Sequence, residues 1–244
     1  MSREYKTYKP LRNSMPDGVE DFILESSVRN KETQKHFVVL GGVNLYILEP
    51  LPGHISVLSV IEGVAEKVPA HLVSNIDAIY VGVFAEFEEK QINAMYRDGA
   101  IYVSSQQDNA PDMIDDIIHE IAHASEHENS REIYSDNKIQ TEFIGKRERL
   151  ERLLSEYGYL GESEVDFSEI EYSKELDVLL YNTIGYDIVE TLTSGLFIKP
   201  YAATDIREYY ATAFEEYLFG DIDYIKKISP VAFSKVHLVC SGEV

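Results

Sequence analysis

The chain has 244 residues, 44% of them hydrophobic and 27% charged, an ordinary globular composition with room for one large domain or two small ones. This excludes a mostly disordered chain, a collagen and a coiled-coil rod, and the single cysteine, Cys240, excludes an internal disulfide framework or an all-cysteine metal cage. With 43 acidic against 22 basic residues and a formal charge of −21, nucleic acid is not expected as a partner, whereas a basic peptide would be attracted.

In chain order, residues 1–35 are polar and turn-rich, the composition of an N-terminal arm, and they lack the apolar core of a signal peptide. That reading favours the cytoplasm, with delivery into a host cell or incorporation in a virion compatible with it. The segment HFVVLGGVNLYILEP (36–50) reads as strand, Gly41-Gly42 turn, strand. Its apolar run from Phe37 to Leu48 is too short to cross a bilayer, so no membrane span is expected. From His54 to His71, Ile55, Leu58, Ile61, Val64 and Ala65 recur at helical spacing, and Pro69 ends or bends that helix. IDAIYVGVF (76–84) is a buried strand. Asp98-Gly99 is a turn, and Ala100, Ile101, Tyr102, Val103 and Ser104 form the strand after it, expected to be the edge strand that aligns a substrate backbone.

Asn109-Ala110-Pro111-Asp112 starts a helix whose apolar side carries Ile114, Ile117, Ile118, Ile121 and Ala122 and which runs to about Glu128. Beyond it the chain is helical. Lys138–Tyr157 is amphipathic, 161–177 is an acidic loop or cap, and further helices are expected at 174–195 and 205–219. Strands and helices first and helices afterwards make an α+β protein. The expected domain organisation is a single domain over 36–244, behind the arm.

The chemistry sits on the helix that begins at Asn109. His119-Glu120-Ile121-Ala122-His123 is an HExxH sequence. Residues four apart on a helix lie one above the other, so two imidazoles can face one zinc ion, with Glu120 beside them as general base toward a zinc-activated water. His127 shares the stripe but lies about 12 Å of helix rise from His119, too far for one ion. A catalytic zinc takes three protein ligands, so a third comes from elsewhere. The extended HExxHxxGxxH pattern fails, with Glu126 at the glycine and Asn129 at the histidine. A glutamate from a later helix remains.

HEIAH, then Tyr201, and seven residues on a glutamate opening EYYATAF resemble the zincin metallopeptidases of the anthrax lethal factor catalytic-domain type and the bacterial Pro-Pro endopeptidases. The resemblance covers two short blocks within 95–218. It implies a zincin-like fold and one zinc per chain, held by His119, His123 and Glu208. Glu120 is then the base, and Tyr201 is the donor to the developing oxyanion. Glu215 and Glu216 compete with Glu208 for the ligand role, and with 17 tyrosines in the chain Tyr201 has packing as its plain alternative. The family's glutamate four residues after the ligand is Thr212 here, so its hydrogen bond must be replaced or lost. The stretch from His123 to Glu208 is longer than in the toxins, which makes about 130–195 a helical insertion, expected as a cap beside the cleft. The expectation is a zinc metalloendopeptidase acting on a peptide or protein substrate. The alternative is a zincin-fold binding or structural module, such as a phage-particle or toxin-assembly component, with little or no activity.

Overall fold

The computed structural model describes residues 35–161 and 165–242. The arm expected over 1–35 lies outside them except for its last residue. Strands β1 (Lys35–Val39), β2 (Val43–Ile47), β3 (Ala78–Gly82), β4 (Ala94–Arg97) and β5 (Ala100–Ser104) form one mixed sheet in the order β1-β2-β3-β5-β4. β1 and β2 are an antiparallel hairpin turned at Leu40, Gly41 and Gly42, and β2, β3 and β5 run parallel. Helix α1 (Val57–Lys67) makes the crossover from β2 to β3. It is shorter than the expected 54–71 because the Ser56 hydroxyl caps its start and Pro69 opens a separate 3-10 turn, Ala70–Val73.

The alternation of strand residues divides the sheet. Leu45, Ile79, Ile101, Val81 and Val103 are fully buried on one face, while Tyr46, Tyr80 and Tyr102 stack in a row on the other. Helices lie on the aliphatic face. A short helix α2 (Ala85–Lys90) leads into β4. Helix α3 (Ala110–Glu128) packs against α1, β4 and β5, and each of its fully buried isoleucines at 117, 118 and 121 contributes about 1.5–3 kcal/mol. After α4 (Ser130–Tyr134) come α5 (Lys138–Glu156), one turn of α6 (Lys174–Asp177), a π-helical stretch Val178–Gly185, α7 (Tyr186–Thr193) and a 3-10 turn Pro200–Ala203. The chain ends in α8 (Ile206–Phe219), α9 (Ile222–Ile228) and α10 (Pro230–Ser241). α8 packs across α3 on the side away from the sheet and has α10 behind it. Among the described residues no helix is long and apolar enough to cross a membrane.

Two expectations need correction. Ala100, Ile101, Tyr102, Val103 and Ser104 are not an edge strand, because β5 is paired on both sides, parallel to β3 and antiparallel to β4. Among the described residues the free edge on this side is β4. Asp98 and Gly99 both have positive φ, as a two-residue hairpin turn requires, and that turn folds β4 outside β5. A Cβ on Gly99 would also meet the Asp77 carboxylate at 3.0 Å.

The stretch 130–195, expected as a cap, is instead part of the core. Ile139, Phe143, Leu150 and Leu154 of α5 are fully buried in the same apolar cluster as the sheet and α8. Within that stretch, Glu171 and Tyr172 reach the cleft described below. Arg147, also on α5 and 0% exposed, donates to the carbonyls of Ala203 at 2.6 Å, Thr204 at 3.0 Å and Glu169 at 3.1 Å. It thereby ties down both chain segments flanking the cleft. Replacing it with methionine strands these carbonyls, and we expect Arg147→Met to lose about 3–5 kcal/mol in denaturant unfolding.

Candidate metal centre

Asn109 caps α3 by accepting from the Asp112 amide at 2.9 Å, and Pro111 sits in the first turn. The helix then presents His119, Glu120 and His123 toward α8 across a cleft of about 700 Å³. On the other wall Asp205 caps α8, accepting from the amides of Arg207 at 2.8 Å and Glu208 at 2.9 Å, so Glu208 is fixed in the first turn.

The ligand atoms converge. His119 Nε2 and His123 Nε2 are 3.2 Å apart. Glu208 Oε2 lies 3.1 Å from the first and Glu208 Oε1 3.3 Å from the second. An ion with tetrahedral bonds of 2.0–2.1 Å separates its ligands by about 3.3–3.4 Å, so the spacing matches one ion at their centre. The Glu208 Oε2 atom is buried and, among the described residues, makes no hydrogen bond, despite its closeness to His119. A cation is the partner that such an oxygen lacks. Of the ligands expected from the sequence, these three could hold a metal ion together. His127 is exposed and outside the group, as its place on the helix implies.

The far nitrogen of each imidazole is also engaged. His119 Nδ1 meets Glu215 Oε1 at 2.5 Å, and Glu215 Oε2 in turn accepts from Lys199 Nζ at 2.5 Å. His123 Nδ1 lies 3.4 Å from Glu126, which also accepts from the Tyr134 hydroxyl at 2.8 Å and from Arg207 Nε at 3.0 Å. Carboxylates behind the imidazoles fix the rings and leave each Nε2 facing the centre. Thr212 does not supply the missing hydrogen bond. Glu215, seven residues after Glu208 and on the same helix face, supplies it instead. Glu215 therefore stands behind a candidate ligand, and Glu216 accepts from the Asp221 amide at the start of the next helix. Glu215→Gln is expected to weaken zinc binding by about 10–100-fold in a chelator competition while leaving the fold intact.

Electrostatics follow from burial among these charges. Burial works against protonation of both histidines, but the carboxylates outweigh it. The His123 imidazole is pushed up to about 9 by Glu126 and Glu208, and the His119 imidazole well above its usual range by Glu208 and Glu215. Glu208, though buried, is held down to about 2 by the two imidazoles. The pocket thus favours positive charge at its centre, as protons or as a cation.

Glu120 is buried, and burial raises its carboxyl above the ordinary glutamate value against the pull of both histidines. Its Oε2 accepts from the Tyr96 backbone amide on the outer edge of β4 at 2.5 Å. This contact escaped the sequence because a backbone donor leaves no residue-type signature. Tyr201, the second residue of the turn Pro200–Ala203, is 42% exposed and lines the same cleft. Burial of its hydroxyl end, with Glu208 and Asp205 nearby, keeps the phenol protonated as a donor. Arg207 and Lys199 also line the cleft, and neither stands out in the sequence. No family model, curated protein or solved structure matches the chain.

Proposed function

We propose that the protein is a zincin-like zinc metallopeptidase. The observation that carries this reading is the convergence of His119, His123 and Glu208 at tetrahedral spacing beside a buried glutamate and a free strand edge. Two imidazoles and one carboxylate suit zinc, and the site leaves room on its cleft side for a water. Bound there, zinc would supply a Lewis acid for the scissile carbonyl and lower the pKa of a water.

The chain's own groups account for the rest. Ala94 turns its amide and carbonyl, and Tyr96 its carbonyl, away from β5, so an extended peptide can pair with this part of β4 and lie along the cleft, while the Tyr96 amide is held by Glu120. Glu120, oriented by the Tyr96 amide, takes the proton of the attacking water and delivers it to the leaving amine. The Tyr201 hydroxyl donates to the carbonyl oxygen as it gains charge. One of the grounds for the alternative, a zincin-shaped binding module, is the missing glutamate at Thr212, and the contact of Glu215 with His119 answers that ground alone.

The test is a peptide-library digest by the zinc-loaded chain, read by mass spectrometry, against the same protein stripped with chelator. Cleavage that appears with zinc and vanishes without it is the expected result. A zinc-loaded protein that cuts nothing favours the binding module.

A further inference from the structure

Behind Tyr201 lies a feature that the proposed chemistry leaves unused. Residues Val178–Gly185 are π-helical, a conformation that is rarely sustained and is concentrated at functional sites. Gly185, at φ 95° and ψ 145°, ends the π stretch, and Tyr186 opens α7 just beyond it with its ring against Tyr181, centroids 6.0 Å apart and planes within 23°. The Tyr181 ring also meets that of Tyr201, with centroids 6.3 Å apart and the planes inclined by 40°. The stack Tyr186–Tyr181–Tyr201 therefore runs from the surface to the cleft. Leu179, Leu180 and Ile184 anchor the π stretch in the core.

The Tyr181 hydroxyl is buried and has no hydrogen-bond partner among the described residues. Glu208 Oε2, at the candidate metal centre, shares that condition. A phenylalanine would stack as well as Tyr181 without leaving a hydroxyl stranded. The hydroxyl gains a purpose if its partner arrives in another state of the cleft. Tyr201, the half-exposed phenol against its ring, is the group placed to provide one.

We propose that Tyr181 is a positioning residue for Tyr201: its ring directs the Tyr201 phenol across the cleft, and its hydroxyl donates to the Tyr201 hydroxyl oxygen when that phenol turns onto a bound substrate. A phenol that accepts one hydrogen bond donates its own proton more strongly, so the pair acts as a relay toward the developing oxyanion. The inference rests on the peptidase reading for its kinetic arm alone.

The test compares wild type, Tyr181→Phe, Tyr201→Phe and the double variant. In chelator-treated protein, removing the stranded hydroxyl should raise the melting temperature of Tyr181→Phe by about 2–4 °C. In zinc-loaded protein, Tyr181→Phe should lower kcat about 10-fold at unchanged KM, and the double variant should be no slower than Tyr201→Phe alone. A lowered melting temperature, an unchanged kcat, or losses that add in the double variant would overturn the proposal. If zinc-loaded wild type cleaves no peptide, the peptidase reading falls, and the same cycle is read from calorimetric affinity for a peptide hydroxamate. Non-additive losses there support the pair, and additive losses or four equal affinities overturn it.

Discussion

Glu120→Gln, loaded with zinc, is expected to keep its metal and its fold and to lose about 10²–10⁴-fold of its peptide hydrolysis. The size follows from what the substitution spares. Glutamine has the shape of glutamate, and its side-chain oxygen can still accept from the Tyr96 amide, so the edge of β4 and the start of the cleft stay in place. His119, His123 and Glu208 lie within contact of one another without help from Glu120, so metal binding has no reason to change. What glutamine cannot do is take a proton from water and return it to an amine. The measurement is kcat/KM on a peptide found in the library digest, with zinc per chain measured on the same sample. Full activity in the variant would remove Glu120 from the mechanism. Loss of zinc together with activity would make it a structural support of the centre.

The outline of this site could be read from the sequence because helix periodicity is a strong local rule. HExxH places two imidazoles on one face wherever a helix forms, and Asn109, Pro111 and the isoleucine stripe mark the helix clearly. Glu208 needed more, since it lies 85 positions beyond His123, where no local rule reaches; only the motif resemblance reached it. The backing carboxylates show the limit best. Position four after Glu208 holds Thr212, which suggested a weakened centre. Folding brings Glu215 round by one further turn, to the Nδ1 of His119. Nor could Glu126 be told from the other charges on α3 until the Tyr134 hydroxyl and Arg207 were seen to converge on it.

The errors in the fold came from tertiary context. β4 is four residues long and reads as the tail of a charged segment, so the Asp98-Gly99 turn was given one arm when it has two. A two-residue turn of that type demands a strand on each side, and Ala94–Arg97 was available for it. The length of the stretch from His123 to Glu208, rather than the pattern of α5 itself, puts that helix in an expected cap, and its charges do not tell which are buried. Two of them, Lys146 and Arg147, are buried on carbonyl oxygens, which no pattern of charge along a helix reveals. The span expected as one helix over 174–195 is instead a turn of α6, a π-helical stretch and α7, because Gly185 takes a positive φ of 95° that breaks the helix, while the apolar pattern on either side runs on unchanged.

Glu208→Ala should take the protein from close to one zinc per chain to close to none after dialysis against buffer without chelator, as counted by elemental mass spectrometry. Removing a group behind a ligand costs about 10–100-fold in metal affinity, and removing the ligand itself costs more. The alanine leaves His119 and His123 with their backing carboxylates, so the two imidazoles remain aligned and the loss is specific to the third ligand. The same difference appears in stability. A metal at 1,000 times its dissociation constant stabilises the folded chain by about 4 kcal/mol, so added zinc should raise the melting temperature of wild type and leave Glu208→Ala unmoved. Glu216→Ala is the control, since that carboxylate faces the Asp221 amide and should keep its zinc. If wild type binds zinc and Glu208→Ala holds it equally well while Glu215→Ala does not, the third ligand has been misassigned by two turns of α8. If wild type binds no zinc even when it is supplied in excess, the centre is a cluster of imidazoles and carboxylates balanced by protons, and the peptidase reading falls with it.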